Sequence, residues 1–306
     1  MSLLRISIVI AGLILFGVNG YLYAVSEQGQ FIFFLLGIIV LGIPHGGADL
    51  LIASQNSRNS QRKFSKAKFN LMYLGNIALF LVLLLSFPSL GLMLFLLLAA
   101  YHFGETDLQG FITESLAGDI FMFTYGMFIL GLIFLPDFDK IYKGLERLHP
   151  DVRTVQVLEW INIYNTVILG VVSFSFIAIG SLYFFYNKHL FKLHWHQLIL
   201  LSLLSIIVYK LPLLLSFSFY FVVWHSLISL NNIICYLLLD KSVSPVLLVK
   251  ETLTNSLIAL IGVSVLGWAA FSMLNNSDLI LYTVVGLAVL TAPHMQVMHR
   301  MYRQLD

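Results

Sequence analysis

The chain has 306 residues, 59% of them hydrophobic and only 10% charged, with a mean hydropathy of +0.91; this excludes a soluble globular domain and points to an integral membrane protein. A formal net charge of +2 leaves no electrostatic footprint for nucleic acid. The single cysteine, Cys235, lies in an apolar stretch and excludes both disulfides and a cysteine-based metal site.

The apolar runs are about 19 to 25 residues long, the length a helix needs to cross roughly 30 Å of hydrocarbon. They lack the alternation of a membrane barrel. In chain order the pattern predicts helices at 4–25, 31–53, 69–87, 90–111, 119–135, 160–186, 197–215, 217–239, 252–273 and 278–300. The expected fold is therefore all-α: a polytopic membrane bundle of about ten helices, or as few as about eight if the short turns near Phe87 and Phe217 are read differently, in a single domain spanning the chain. The first segment has only Arg5 ahead of it, a longer apolar run than a signal peptide and no clear cleavage site, so it reads as a retained helix.

The loop "SQNSRNSQRKFSKAK" holds Arg58, Arg62, Lys63, Lys66 and Lys68 with no acid, which marks it as cytoplasmic. Alternating from there puts both termini inside a cell (inner) membrane, with about 12 Lys and Arg in the inner segments against about 4 outside. Lys210 falls close to the outer end of its helix, where its ammonium snorkels to the surface. The segment from Pro136 to Glu159 is mixed in charge and long enough for a short surface helix. "NKHLFKLHWH", with Lys188 and Lys192, reads as a basic inner loop that contacts lipid headgroups. No strong internal repeat is present, although "HGGAD" and "HFGETD" form a faint pair.

Four histidines fall inside expected membrane helices: His45, His102, His225 and His294. Their helices run in the same direction, and the four positions lie roughly 14, 12, 8 and 16 residues from the outer ends, a spread of about 12 Å in depth. Four imidazoles can therefore share one layer. Pro44 and Pro293 immediately precede two of them, where a lost backbone hydrogen bond permits a kink. A lone intramembrane histidine is ordinarily a hydrogen-bonding residue between helices. Four at one depth suit a first-row metal instead, with iron, copper and zinc all open. Asp49 follows His45 by one turn, and Glu105 and Asp107 follow His102. These acids either accept the second N–H of a ligating imidazole or lie solvated at the inner surface. Tyr101 and Trp224 stand directly before two of the histidines, and Tyr73, Tyr125, Tyr220 and Phe221 lie in nearby helices. They suit ordinary core contacts or the wall of a channel for a flat conjugated molecule.

The set "GIPHGGADL", "YHFGETDL", "FVVWHSLISL" and "TAPHMQVMH" resembles the Brp/Blh family of membrane β-carotene 15,15′-dioxygenases, in the right order over nearly the whole chain. The resemblance implies cleavage of β-carotene by O2 at its central double bond, with non-haem Fe(II) held by histidines. It implies retinal as product, often destined for a microbial rhodopsin. By motif position His45, His102 and His225 match iron ligands. Asp49, Glu105 and Asp107 beside them are the candidate catalytic acids, and Tyr101, Trp224, Tyr73 and Tyr125 are the candidate substrate wall. Where the family carries a further histidine one turn after the W-H-S motif, this chain has Ser229. Either His294 completes the site or a ligand is lost. Two other classes remain: a non-catalytic carotenoid carrier or histidine-relay transporter, and a membrane diiron hydroxylase or desaturase, whose sites usually draw on more histidines.

Overall fold

The computed structural model describes residues 2–113, 115–146, 152–239, 243–274 and 279–305, and the side chains of 2, 146, 239, 266, 269–274 and 279–285 are outside that description. The described residues form helices and turns with no strand: α1 (Ser2–Gly17), α2 (Glu27–Gly37), α3 (Ile43–Gly47), α4 (Asp49–Asn59), α5 (Lys66–Ser86), α6 (Pro88–Leu108), α7 (Leu116–Phe134), α8 (Phe138–Glu146), α9 (Val152–Tyr186), α10 (Lys188–Lys210), α11 (Leu213–Ser218), α12 (Ser226–Leu239), α13 (Pro245–Leu274) and α14 (Leu279–Tyr302). Short π-helical segments at Val18–Leu22, Ile38–Gly42 and Phe219–His225 interrupt the regular hydrogen bonding. Among the described residues nine helical stretches are long and apolar enough to cross a membrane, and they follow the first nine expected helices. The chain is an all-α polytopic membrane protein. The tenth expected helix, 278–300, corresponds to α14, with residue 278 outside the described residues.

Helix ends follow local chemistry. Ser26, Ser65 and Ser115 cap α2, α5 and α7 by accepting a hydrogen bond from the backbone N–H three residues on, at 3.1–3.3 Å. Pro88 stops α5 at Phe87, whose own backbone is pushed out of the helical region (φ −138°, ψ 69°). The expected sixth helix, 160–186, begins earlier, at Val152, and bends at Tyr164 (φ −105°, ψ 15°). Arg153 and Glu159 made its first turns look like loop. The expected surface helix in 136–159 is α8.

The chain divides into two compact units, both discontinuous in sequence: Met1–Ile38 with Ala99–Ile228, and Ile39–Leu98 with Ser229–Leu305. In the first, α6 and α7 approach backbone to backbone. A Cβ on Gly126 would fall on the carbonyl of Ala100, and one on Gly104 on the carbonyl of Met122. Such contact needs small residues, since lipid supplies no hydrophobic drive between helices. Around it, Phe121 stacks on Phe176 and Tyr183 of α9 at 5.8 and 5.4 Å. Gly126→Ala is expected to cost at least about 3 kcal/mol, because a backbone carbonyl cannot rotate aside as a side chain can. Gly75→Ala, in open space, is the control and should unfold with the parent in a thermal melt in detergent.

In the second unit, α3 lies against α13, with Gly47 close to Thr252 and Ser256 and its carbonyl accepting from Asn255 Nδ2 at 3.0 Å. The core there comprises Ala48, Ile52, Ile233, Leu237, Met298 and Met301. It is closed at one end by a polar cluster in which Tyr236 donates to Asn56 and Gln304.

Candidate functional site

Within the first unit, α6 carries His102 and the segment Phe219–His225 ends on His225. Both imidazoles are buried, and their ring centroids lie 5.0 Å apart at 75°. Phe103 and Phe221 wall His225 at 4.7 and 5.8 Å, the latter stacked on it. The i→i+5 bonding of a π segment widens the helical turn, a feature concentrated at functional sites; here it presents Tyr220, Trp224 and His225 together.

One turn beyond His102, Asp107 is fully buried (0% exposed). Its Oδ2 accepts hydrogen bonds from the hydroxyls of Tyr125 and Tyr220 at 2.7 and 2.9 Å. Arg5, only 2% exposed, donates to the Asp107 carbonyl at 2.8 Å. Its guanidinium lies over the rings of Phe111 and Trp224, at 5.3 and 5.8 Å. A buried carboxylate without such partners would be costly; two hydroxyl donors and a nearby cation make this one tenable.

Within the second unit, Pro44 and His45 sit on α3 directly after the π segment Ile38–Gly42, and Pro293 precedes His294 on α14. These two imidazoles are also buried, with centroids 4.8 Å apart at 80°. Asp49 uses both oxygens: Oδ1 meets His294 Nδ1 at 2.8 Å and Oδ2 accepts from the Tyr73 hydroxyl at 2.8 Å. A carboxylate partner puts the proton on Nδ1 and leaves Nε2 of His294 as the nitrogen with ligand character.

The two units thus repeat a theme, an edge-to-face imidazole pair with a buried aspartate held by tyrosine. The faint pair "HGGAD" and "HFGETD" carries one histidine and the aspartate of each. Glu105 is buried as well. Tyr101 is half-buried and its hydroxyl donates to Asp119 at 3.1 Å. Ser229, one turn past His225, is fully buried. Sequence reasoning missed Arg5, treated as a flanking charge, and Phe103, treated as part of the apolar run.

Residues 36–302 match the family model described as Beta-carotene 15,15'-dioxygenase. The chain belongs to this family. No curated protein and no solved structure matches it. The span shared with the β-carotene 15,15′-dioxygenase family includes all four histidines and both central aspartates, whereas Arg5 precedes it. For the metal that the resemblance implies, the donors fit in kind, since imidazoles with a carboxylate behind one of them suit iron. In number they pair: among the described residues no three His, Cys, Asp or Glu side chains group closely enough to hold an ion.

Proposed function

We propose that this member of the β-carotene dioxygenase family cleaves β-carotene at the central 15,15′ double bond, within the membrane, to give two molecules of retinal. The reaction balances without an external reductant: one C=C bond breaks, O2 is consumed, and each half takes one oxygen as an aldehyde. The observation that carries the reading is the pairing of buried imidazoles, with their aspartate supports, inside a chain that matches the family over residues 36–302. The motif positions support His45, His102 and His225 as holders of a non-haem Fe(II), and in this reading His294 completes the set. When bound, the iron supplies the one-electron chemistry that singlet hydrocarbon and triplet O2 lack together.

The protein's own residues have definable parts in this reading. Asp49 fixes the ring of His294 and receives Tyr73; Asp107 receives Tyr125 and Tyr220. Their hydroxyls are thereby turned onto carboxylates; in this reading the rings of Tyr125 and Tyr220, with Trp224, make an apolar wall for a polyene in the first unit, and the ring of Tyr73 does so in the second. Tyr101 belongs to the same wall in this reading, and Glu105 would tune its neighbour His102. β-Carotene is about as long as the hydrocarbon is thick, roughly 30 Å, so it arrives from the bilayer. A reacting centre near the midplane meets the middle of it. We assign the protein to the cell's inner membrane with both termini cytoplasmic, and retinal leaves into lipid, where a microbial rhodopsin can take it up.

A second reading, a carotenoid or retinal carrier, is favoured by Ser229 in the place of a histidine and by the absence of a three-donor group among the described residues. One experiment separates the two. The chain is expressed in a β-carotene-producing bacterial host and the pigments are chromatographed. About two retinal per carotene lost is the expected result, from the stoichiometry of symmetric cleavage; carotene left intact beside folded protein in the membrane supports the carrier.

A further inference from the structure

A cleft of about 610 Å³ opens within the second unit at the polar ends of α4, α5 and α14. Tyr73 apart, the reaction above makes no use of its lining. Arg62 and Lys63 from the α4–α5 turn, Lys68 from α5, and Arg300 and Arg303 from the end of α14 line it together with His299. Its described lining contains no Asp or Glu. Five like charges around one concavity repel one another, and an anion seated among them relieves that repulsion. The N-terminus of α5, capped by Ser65 at the same rim, adds its dipole in the same sense.

The rest of the wall says what kind of anion fits. Phe64 and Phe69 lie 6.0 Å apart, and Met72 continues the strip along α5, a helix apolar enough to cross the membrane. A basic rim above an apolar strip matches an amphiphile with a charged head and a hydrocarbon tail. We propose that the cleft binds an anionic phospholipid, its phosphate on Arg62, Lys63, Lys68, Arg300 and Arg303 and its first acyl carbons along Phe64, Phe69 and Met72. Tyr73 and Pro293 also belong to the wall. A seated lipid therefore braces the turn of α14 that presents His294 to Asp49.

The test is thermal unfolding of the full chain in neutral detergent with phosphatidylglycerol, phosphatidylcholine or inorganic phosphate added. Phosphatidylglycerol is expected to raise Tm by about 5 °C over phosphatidylcholine, the size that saturating one tight site gives. Lys68→Gln/Arg300→Gln should lose most of that rise while unfolding no lower than the parent in phosphatidylcholine, since it also relieves the repulsion. Arg62→Gln/Lys63→Gln, which alters only a turn, carries the same expectation should the first variant be unstable. Lys188→Gln/Lys192→Gln, outside the cleft, should keep the rise. Loss of the rise in that control, or no rise with the parent, overturns the site. An equal rise from inorganic phosphate overturns the lipid and leaves a soluble anion.

Discussion

Replacing His102 with alanine is expected to take retinal formation below detection in carotene-producing cells, and to lower the iron bound per purified chain. His102 is buried against His225 at 5.0 Å between centroids, with Phe103 and Phe221 around the pair. A cluster so enclosed admits no replacement donor from water. Asp49→Asn is the graded companion. Its amide oxygen can still accept from His294 Nδ1, and its NH2 can donate to the Tyr73 oxygen, so geometry survives while the charge behind the imidazole is lost. Supports of this kind contribute about 10- to 100-fold to metal affinity or activity. Turnover by Asp49→Asn should therefore fall within that range, and well short of the His102→Ala loss. Chromatography of retinal with metal analysis on the same preparations reads both. Undiminished cleavage by His102→Ala would remove this histidine from the ligand set; equal losses in the two variants would make Asp49 a ligand or a fold determinant and not a support.

Helix count and span were legible because the cost of unsatisfied backbone in lipid forces long apolar runs into helices. The four histidines were legible for the complementary reason, that a polar side chain in such a run needs a use. Less legible was who meets whom. Asp49 sits one turn after His45, yet its short hydrogen bond goes to His294, 245 positions away. Local spacing along a helix constrains a direction and not a partner. The π segments before His45 and through His225 left no signal either, since Ile38–Gly42 and Phe219–His225 are as apolar as their surroundings. Asp107 was open to reading as a solvated acid near a helix end, and only the arrival of Tyr125, Tyr220 and Arg5 from three other elements buries it.

Arg5→Met is expected to destabilise the protein by about 3 kcal/mol, the scale for stripping compensation from a buried charge. Position alone suggests a flanking residue that snorkels to water. The side chain instead turns inward, where it donates to the Asp107 carbonyl, lies against Phe111 and Trp224, and brings a positive charge to the neighbourhood of Asp107. Methionine keeps much of the volume but none of the donors, so Asp107 is left with hydroxyls alone against its charge. Arg5→Lys should rescue only in part, because a single ammonium cannot reach a carbonyl and lie flat on two rings at once. The decisive comparison is Arg5→Met/Asp107→Asn. Removing the negative charge removes the need for the positive one, so the double variant should unfold at a higher temperature than Arg5→Met, a non-additivity of about 1 kcal/mol or more for groups in one network. Simple additivity in thermal melts would mean that Arg5 acts through its ring contacts only. Retinal yield should follow the same order, since α6 carries both Asp107 and His102, and the segment that supplies Tyr220 and Trp224 ends on His225.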